Sequence, residues 1–309
     1  MKIAVIGSGG VGGFYGLKLA RAGHDVTFVA RGAHLKAMRE SGLHIENESG
    51  IAESLPNVKV TDDILGLAQP ELIIIAVKMW DLEEITAKLK QIAGPHTAVL
   101  SLQNGVIKDI TLKRAFGDAA VMGGVAYVAT SIGRPGVIKQ VGPMQRIKLG
   151  EYDGRQTERC KELVQAFAAM GVDATLADDI ERVLWEKYSF LVGLSSMTCL
   201  THLTIGPVRE HEGSRALLQS IFNEVVALAR ARNVGLPPDY ASQCMQLADD
   251  VAYSMTSSMF HDLEKGNRLE LPWLSGGVVS LAREAGVPVP ANTFATQALA
   301  PYVNGRARA

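Results

Sequence analysis

Residues 3 to 6 read IAVI, and the next six read Gly7-Ser8-Gly9-Gly10-Val11-Gly12. A short apolar run that stops on four closely spaced glycines can continue in few ways. Glycine removes the Cβ that blocks a tight turn and a close approach of backbone to a ligand. The stretch VGGFYGLKLARAG (11–23) places apolar and small residues at helical spacing and ends at Gly23. DVTFVAR (25–31) then reads as a second strand. Strand, glycine turn, helix and strand within about 30 residues form a β–α–β unit, whose two strands must run parallel.

G-x-G-x-x-G alone is a weak signal. Directly after a strand and at the start of a helix it marks a site for a dinucleotide pyrophosphate, because the helix N-terminus offers unsatisfied N–H groups and a positive dipole end. The cofactor class follows from the end of the second strand. An NAD site places an acid there for the ribose 2′-hydroxyl. This chain has Ala30-Arg31-Gly32 instead. A guanidinium suits a 2′-phosphate, so NADPH is the expected cofactor. LIIIAV (72–77) and AVLSL (98–102) continue the buried strands, with DLEEITAKLKQIAG as the helix between them. Lys78 ends the first of these strands and Asn104-Gly105 closes the second. Both positions lie at carboxyl ends, where open α/β sheets bind ligands. From about 121 to 150 the pattern changes to short strands with GRPG and VGPM turns, read as an antiparallel extension. TERCKELVQAFAAMG predicts a helix and VDATLA a last strand.

After about residue 178 strand signals cease, and helices are expected at 179–200, 212–233, 238–252, 257–264, 270–286 and 292–303. The expected architecture is an α/β, Rossmann-like dinucleotide-binding domain over residues 1–177 and an all-α substrate or dimerisation domain over 178–309. No Ser/Gly-rich linker separates them, which implies two domains meeting along a cleft. Bulk properties narrow the function classes. With 47% hydrophobic and 20% charged residues and a formal net charge of −1, nothing points to nucleic acid or an anionic membrane. Cys160, Cys199 and Cys244 form no CxxC pair, so neither a disulfide framework nor a zinc site is expected. The opening MKIAVIG lacks the features of a secretion signal, so a cytoplasmic protein is expected.

WEKYSFLVGLSS (185–196) lies in a stretch apolar nearly all round, with Lys187 in it. An unpartnered buried ammonium is costly. Lys187, Leu191 and Ser195 share one stripe at i, i+4 and i+8. From periodicity alone Lys187 is either a functional residue or a snorkelling lysine with a wet head. Ser257-Ser258 and Glu270 form a second polar cluster, readable also as a helix cap and a first-turn acid. Glu210-His211-Glu212 lacks zinc-site spacing and reads as a solvated face; His261 reads as facing water. No G-x-S-x-G elbow is present.

Together these residues resemble the ketopantoate reductase (2-dehydropantoate 2-reductase) family, nearly end to end. GSGGVG, Arg31, the strand-end VK (Lys78), QNG (Asn104), Ala129 after YVA, W-x-K (Lys187), SSM (Ser258) and LE (Glu270) occur in family order. The resemblance implies that the glycine turn, Arg31, Lys78, Asn104, Ala129 and Glu270 contact NADPH. It implies Lys187 as proton donor and Ser258 as holder of a small 2-keto acid's carboxylate, with Asn104 nearby. Pantothenate biosynthesis would be the setting, and a homodimer is compatible with it. Leu191, Ser195, Ile205 and Met255 stand where the family carries substrate-side asparagines. The expected reaction is NADPH-dependent reduction of 2-dehydropantoate to pantoate. The alternatives are a D-2-hydroxyacid dehydrogenase for a more apolar 2-keto acid, and a non-catalytic NADPH-sensing protein.

Overall fold

A computed structural model describes residues 1–305. The chain clusters into two compact units. One is Met1–Asn104 with Lys108–Val183; the other is Gly105–Ile107 with the chain from Leu184 onward.

The first unit contains, in chain order, β1 (Lys2–Ile6), α1 (Gly10–Arg21), β2 (Asp25–Val29), α2 (Gly32–Ser41), β3 (Leu43–Asn47), β4 (Gly50–Leu55), β5 (Lys59–Thr61), β6 (Leu72–Ile75), α3 (Leu82–Ile92), β7 (Ala98–Ser101), α4 (Ile107–Phe116), β8 (Val121–Arg134), β9 (Val137–Glu151), α5 (Glu158–Ala169) and β10 (Asp173–Leu176). Its ten strands form one mixed sheet in the order β4-β3-β9-β8-β7-β6-β1-β2-β5, with β10 also paired to β9. β1 pairs in parallel with β2 and β6, and β6 with β7 in parallel. All four residues of β6 and of β7 are buried, as expected for parallel strands covered on both faces. Alternate residues (Ile3, Val5; Leu72, Ile74; Ala98, Leu100) join one core cluster with Phe14, Leu17 and Phe167.

The segment read as short strands is instead a single long hairpin. β8 and β9 span 14 and 15 residues and pair antiparallel around the Pro135–Gly136 turn. The VGPM sequence does not end a strand. Val128 pairs with Gln145 and Thr130 with Gln140, so Val141 to Met144 bulge opposite Ala129. β3, β4, β5, α2 and α4 add to the elements expected from the sequence.

The second unit is helical: α6 (Ile180–Thr201, whose first turn clusters with the first unit), α7 (Ile205–Glu210), α8 (Glu212–Ala231), α9 (Tyr240–Asp250), α10 (Ser258–Glu264), α11 (Ser275–Ala285) and α12 (Pro290–Leu299). The helix expected at 270–286 is broken at Leu274, leaving a 3₁₀ turn at Leu271–Trp273 ahead of α11. α6 is central, with every residue from Val192 to Cys199 buried. Gly193 permits this packing, since a Cβ there would lie 2.1 Å from Cε1 of Phe222 in α8. Phe190 stacks on the same ring, centroids 6.1 Å apart. The α12 N-terminus is closed by Glu224, whose carboxylate accepts from the N–H groups of Ala291 (2.7 Å) and Asn292 (2.9 Å). No helix among the described residues is long and apolar enough to cross a membrane.

Candidate functional site

In the α/β unit the carboxyl ends of the strands are joined by explicit contacts. Gly7 takes φ +94°, a conformation that favours glycine, and a Cβ there would strike the Val77 backbone nitrogen at 2.8 Å. The N–H groups of Gly7 and Ser8 both donate to the Val29 carbonyl, at 3.2 and 3.1 Å, and the Ser8 hydroxyl joins them at 3.0 Å. The turn after β1 is thereby fixed to the end of β2. A Cβ on Gly12 would lie 2.1 Å from the Gly7 carbonyl oxygen, and one on Gly10 would lie 2.5 Å from the Thr130 carbonyl oxygen. Gly9, by contrast, faces open space. The N-terminus of α1 carries no side-chain cap and no acid in its first turn. Its N–H groups therefore face a glycine-lined opening with nothing negative to compete for them. The Thr130 hydroxyl is buried without a partner beside the same turn. This cradle fits the phosphates of a dinucleotide.

Arg31 leaves the end of β2 as the N-cap residue of α2, with its side chain 66% exposed. Lys78 follows β6, half-buried, with its ammonium 5.6 Å from the Trp80 ring centroid. Asn104 follows β7, also half-buried. Val11 is half-buried in the first turn of α1, and Ala129 is exposed on β8 opposite the bulge. The α/β unit thus brings the Gly7–Gly12 turn, Arg31, Lys78 and Asn104 to one edge of the sheet, with Thr130, next to Ala129, against the turn.

Two residues not singled out from the sequence hold this edge together. Gln103 donates from Nε2 to the Val77 carbonyl (2.8 Å) while its Oε1 accepts from the Ser101 hydroxyl (3.0 Å). It couples the loop carrying Asn104 to the loop carrying Lys78. His34, 9% exposed, bridges Ser8 to the hairpin turn. Its Nε2 lies 2.8 Å from the Ser8 carbonyl, and its Nδ1 lies 3.0 Å from the Gly136 nitrogen. A carbonyl on one side and an N–H on the other fix the neutral, Nε2-protonated tautomer. Burial lowers the His34 pKa, with the Ser8 bond opposing that shift. Neither residue has a periodic signature. The only sequence hint is that Gln103 stands next to Asn104.

In the helical unit, Lys187 and Leu191 are half-buried on successive turns of α6, and Ser195 is fully buried one turn on. The hydroxyls of Ser195 and Ser196 are buried with no partner. Thr198, three residues past Ser195, lies 3.3 Å from Ser257 through their hydroxyl oxygens. Ser257 also accepts the Phe260 N–H (3.0 Å), so it is the cap of α10, and Ser258 is exposed as the first residue of that helix. Glu270 is half-buried, immediately before the 3₁₀ turn. That turn is docked on α6 by Tyr188, whose hydroxyl donates to the carbonyls of Leu274 (2.7 Å) and Trp273 (3.3 Å). Tyr188 is the neighbour of Lys187, so Glu270 and Ser258 both belong to elements attached to the helix that carries the lysine. Ile205 is completely buried, with its N–H on the Met255 carbonyl, and Met255 is half-buried. His211 accepts the Ser214 N–H as the cap of α8, and His261 pairs with the Thr256 hydroxyl at the surface.

A parallel sheet whose first strand runs through an open glycine turn into an uncapped helix has the architecture of a dinucleotide-binding module, followed here by a helical unit. The particular family is given by comparison with known proteins. Residues 3–154 match the model described as Ketopantoate reductase PanE/ApbA, and residues 179–303 match that of its C-terminal part. The chain belongs to the ketopantoate reductase family, dinucleotide-dependent oxidoreductases acting on CH–OH groups. It is 30% identical to a 2-dehydropantoate 2-reductase of Mesorhizobium japonicum over 94% of both chains. A PanE/ApbA family ketopantoate reductase structure from Ralstonia eutropha superposes with a TM-score of 0.88 at 31% identity, covering 98% of each chain. A D-mandelate dehydrogenase solved with NADH and anilino(oxo)acetate shares the fold, with a TM-score of 0.86 at 21% identity and 98% of each chain covered.

Proposed function

We propose that this protein uses NADPH to reduce a 2-oxo acid to the 2-hydroxy acid, with 2-dehydropantoate, giving pantoate, as the leading substrate. The observation that carries the reading is the assembly of an open, acid-free helix N-terminus, Arg31, Lys78 and Asn104 on one edge of a parallel sheet. The N–H groups at the Gly7–Gly12 turn would receive the pyrophosphate, and Arg31 the 2′-phosphate, as a charge-assisted pair. Lys78, Asn104, Ala129 and Glu270 complete the contacts assigned to the cofactor.

Bound NADPH supplies a hydride to the keto carbon. As the C=O double bond becomes single, negative charge gathers on its oxygen. The Lys187 ammonium stabilises that charge and transfers a proton to it, leaving a neutral amine that water reprotonates. The Ser258 hydroxyl donates to the substrate carboxylate, with the Asn104 amide beside the substrate. Oxidation of NADPH, followed optically on adding a panel of 2-keto acids, tests the assignment. Turnover of at least one is expected; NADPH binding with turnover of none would replace it with the sensing role.

One observation favours a second reading of the substrate. Leu191 is half-buried one turn beyond Lys187, and an isobutyl group there offers no partner to a polar substrate substituent. Burying a hydroxyl without a partner costs about 1–3 kcal/mol. A 2-keto acid with an apolar side chain would therefore be reduced at least as well as ketopantoate. The ratio of kcat/KM for ketopantoate to that for 2-ketoisovalerate, which lacks the hydroxymethyl group, decides between the two. A preference for ketopantoate of several hundredfold removes the second reading. Otherwise Leu191→Asn should shift the ratio towards ketopantoate by roughly tenfold or more.

A further inference from the structure

The end of β2 lacks the acid of an NAD site, yet an acid stands beside it. Asp81, at the end of the 3₁₀ turn that follows Lys78, places Oδ2 3.8 Å from Nη1 of Arg31, with side chains 30% and 66% exposed. Glu84, in the first turn of α3, feels the same positive charge. Its carboxyl is held below the usual range, first by its hydrogen bond to Lys88 and in smaller part by the Arg31 charge. The cation at the β2 end is therefore paired with a carboxylate carried by the β6–α3 connection.

That arrangement has opposite consequences for two ligands. A 2′-phosphate bound by Arg31 brings close to two negative charges near a carboxylate. A ribose 2′-hydroxyl meets in that carboxylate a good acceptor. We propose that Asp81 is a specificity-determining residue for the dinucleotide, supplying from the end of β6 the acid that β2 lacks, and so narrowing the advantage that Arg31 gives to a 2′-phosphate over a 2′-hydroxyl. The proposal rests on the reading of Arg31 as the 2′-phosphate residue. Its consequence is a protein that binds both NADPH and NADH, with a smaller preference for NADPH than Arg31 alone would impose.

The test is a set of dissociation constants for NADPH and NADH, measured by fluorescence without substrate, for the parent, Asp81→Asn, Arg31→Ala and the double variant. Arg31 is exposed and Asp81 half-buried, and Asn matches the shape of Asp; a thermal melt of each variant confirms folding. Exposed charges interact modestly, so Asp81→Asn should raise the ratio of the NADH constant to the NADPH constant by about two- to tenfold. The increase should shrink at high salt, since screening removes it. In the Arg31→Ala background the parent carboxylate should favour NADH, and Asp81→Asn should weaken NADH binding. Binding of both dinucleotides with an unchanged or lowered ratio in Asp81→Asn overturns the proposal alone. Binding of neither dinucleotide to the parent overturns the functional reading and the proposal with it. Glu84→Gln serves as a second variant, expected to shift the ratio in the same direction by a smaller factor.

Discussion

The two units position their polar residues by different means. In the α/β unit each strand-end loop is tied to its neighbour: Gly7 and Ser8 to Val29, Ser8 to His34, His34 to Gly136, and Gln103 to Val77. In the helical unit Lys187, Leu191 and Ser195 lie along α6, with Ser258 and Glu270 on elements tied to it, and two buried hydroxyls of α6, Ser195 and Ser196, have no partner. A wired edge suits a ligand of fixed shape: its loops are set before the ligand arrives, while the α1 N–H groups and the Thr130 hydroxyl stay open to it. A stripe with spare hydroxyls takes its final form from whatever fills it. The difference parallels the chemistry proposed for the two sets, a dinucleotide for the wired edge and a variable keto acid for the α6 stripe.

The strongest test of that division is Lys187→Met, which keeps the apolar stem and deletes the proton. Turnover should fall by roughly 10²–10⁴-fold, while the NADPH dissociation constant changes less than about twofold, because the role proposed for the lysine is proton transfer and not phosphate binding. Comparable turnover in the variant would make Lys187 a snorkelling residue and dissolve the division of labour.

A matched pair of glycines sharpens the comparison. Cβ atoms on Gly12 and Gly193 would each meet a neighbour at 2.1 Å, the Gly7 carbonyl oxygen in one case and the Phe222 ring in the other. Gly12→Ala must move the phosphate cradle itself, so NADPH affinity should fall at least tenfold. Gly193→Ala overpacks the helical core at a cost of about 1–3 kcal/mol, partly offset by alanine's better helix propensity. It should lower the melting temperature and leave NADPH affinity within about twofold of the parent. Equal effects of both variants on NADPH binding would mean that the units do not separate the two roles.

The sequence made the two regions unequally readable for the same physical reason. Glycine turns and buried parallel strands have strong local signatures, and IAVI-GSGGVG and LIIIAV were legible directly. β3, β4 and β5 were not: β4 and β5 lie at the margins of the sheet, where the alternation of GIAESL is diluted by exposed residues, and the burial of LHIEN in β3 is only partial. VGPM has the composition of a turn but folds as a bulge inside a long strand, a choice made by pairing to β8 rather than by local propensity. α7 is six residues long and held by Met255 and Tyr253 carbonyls across the unit, which no window of sequence reveals. In the candidate site, the residues proposed to face a ligand were legible through motif spacing. His34 and Gln103, which tie the strand-end loops together, and Asp81, which pairs with Arg31, act through contacts between distant segments.

His34 gives the smallest expected effect and the most specific one. Its neutral ring is required, since Nδ1 must accept from Gly136 while Nε2–H donates to Ser8. Burial lowers its pKa in the folded protein, so above the ordinary histidine value of about 6.5 both folded and unfolded chains are neutral there and the contribution is complete. As pH falls below that value the unfolded chain takes up the proton first. Stability should then decline with falling pH until the folded pKa is reached, with a slope of no more than one proton, about 1.4 kcal/mol per pH unit. His24 is also lowered, first by burial and then by the N-terminal ammonium, so it adds to the decline in the same window. His34→Gln offers an amide donor and an acceptor without titrating. Urea unfolding of the parent and this variant at a series of pH values between about 7.5 and 5 should show a shallower acid slope in the variant, with the residue of the slope belonging to His24. Identical slopes would mean that the ring is protonated without loss, and that the bridge between the glycine turn and the hairpin is dispensable.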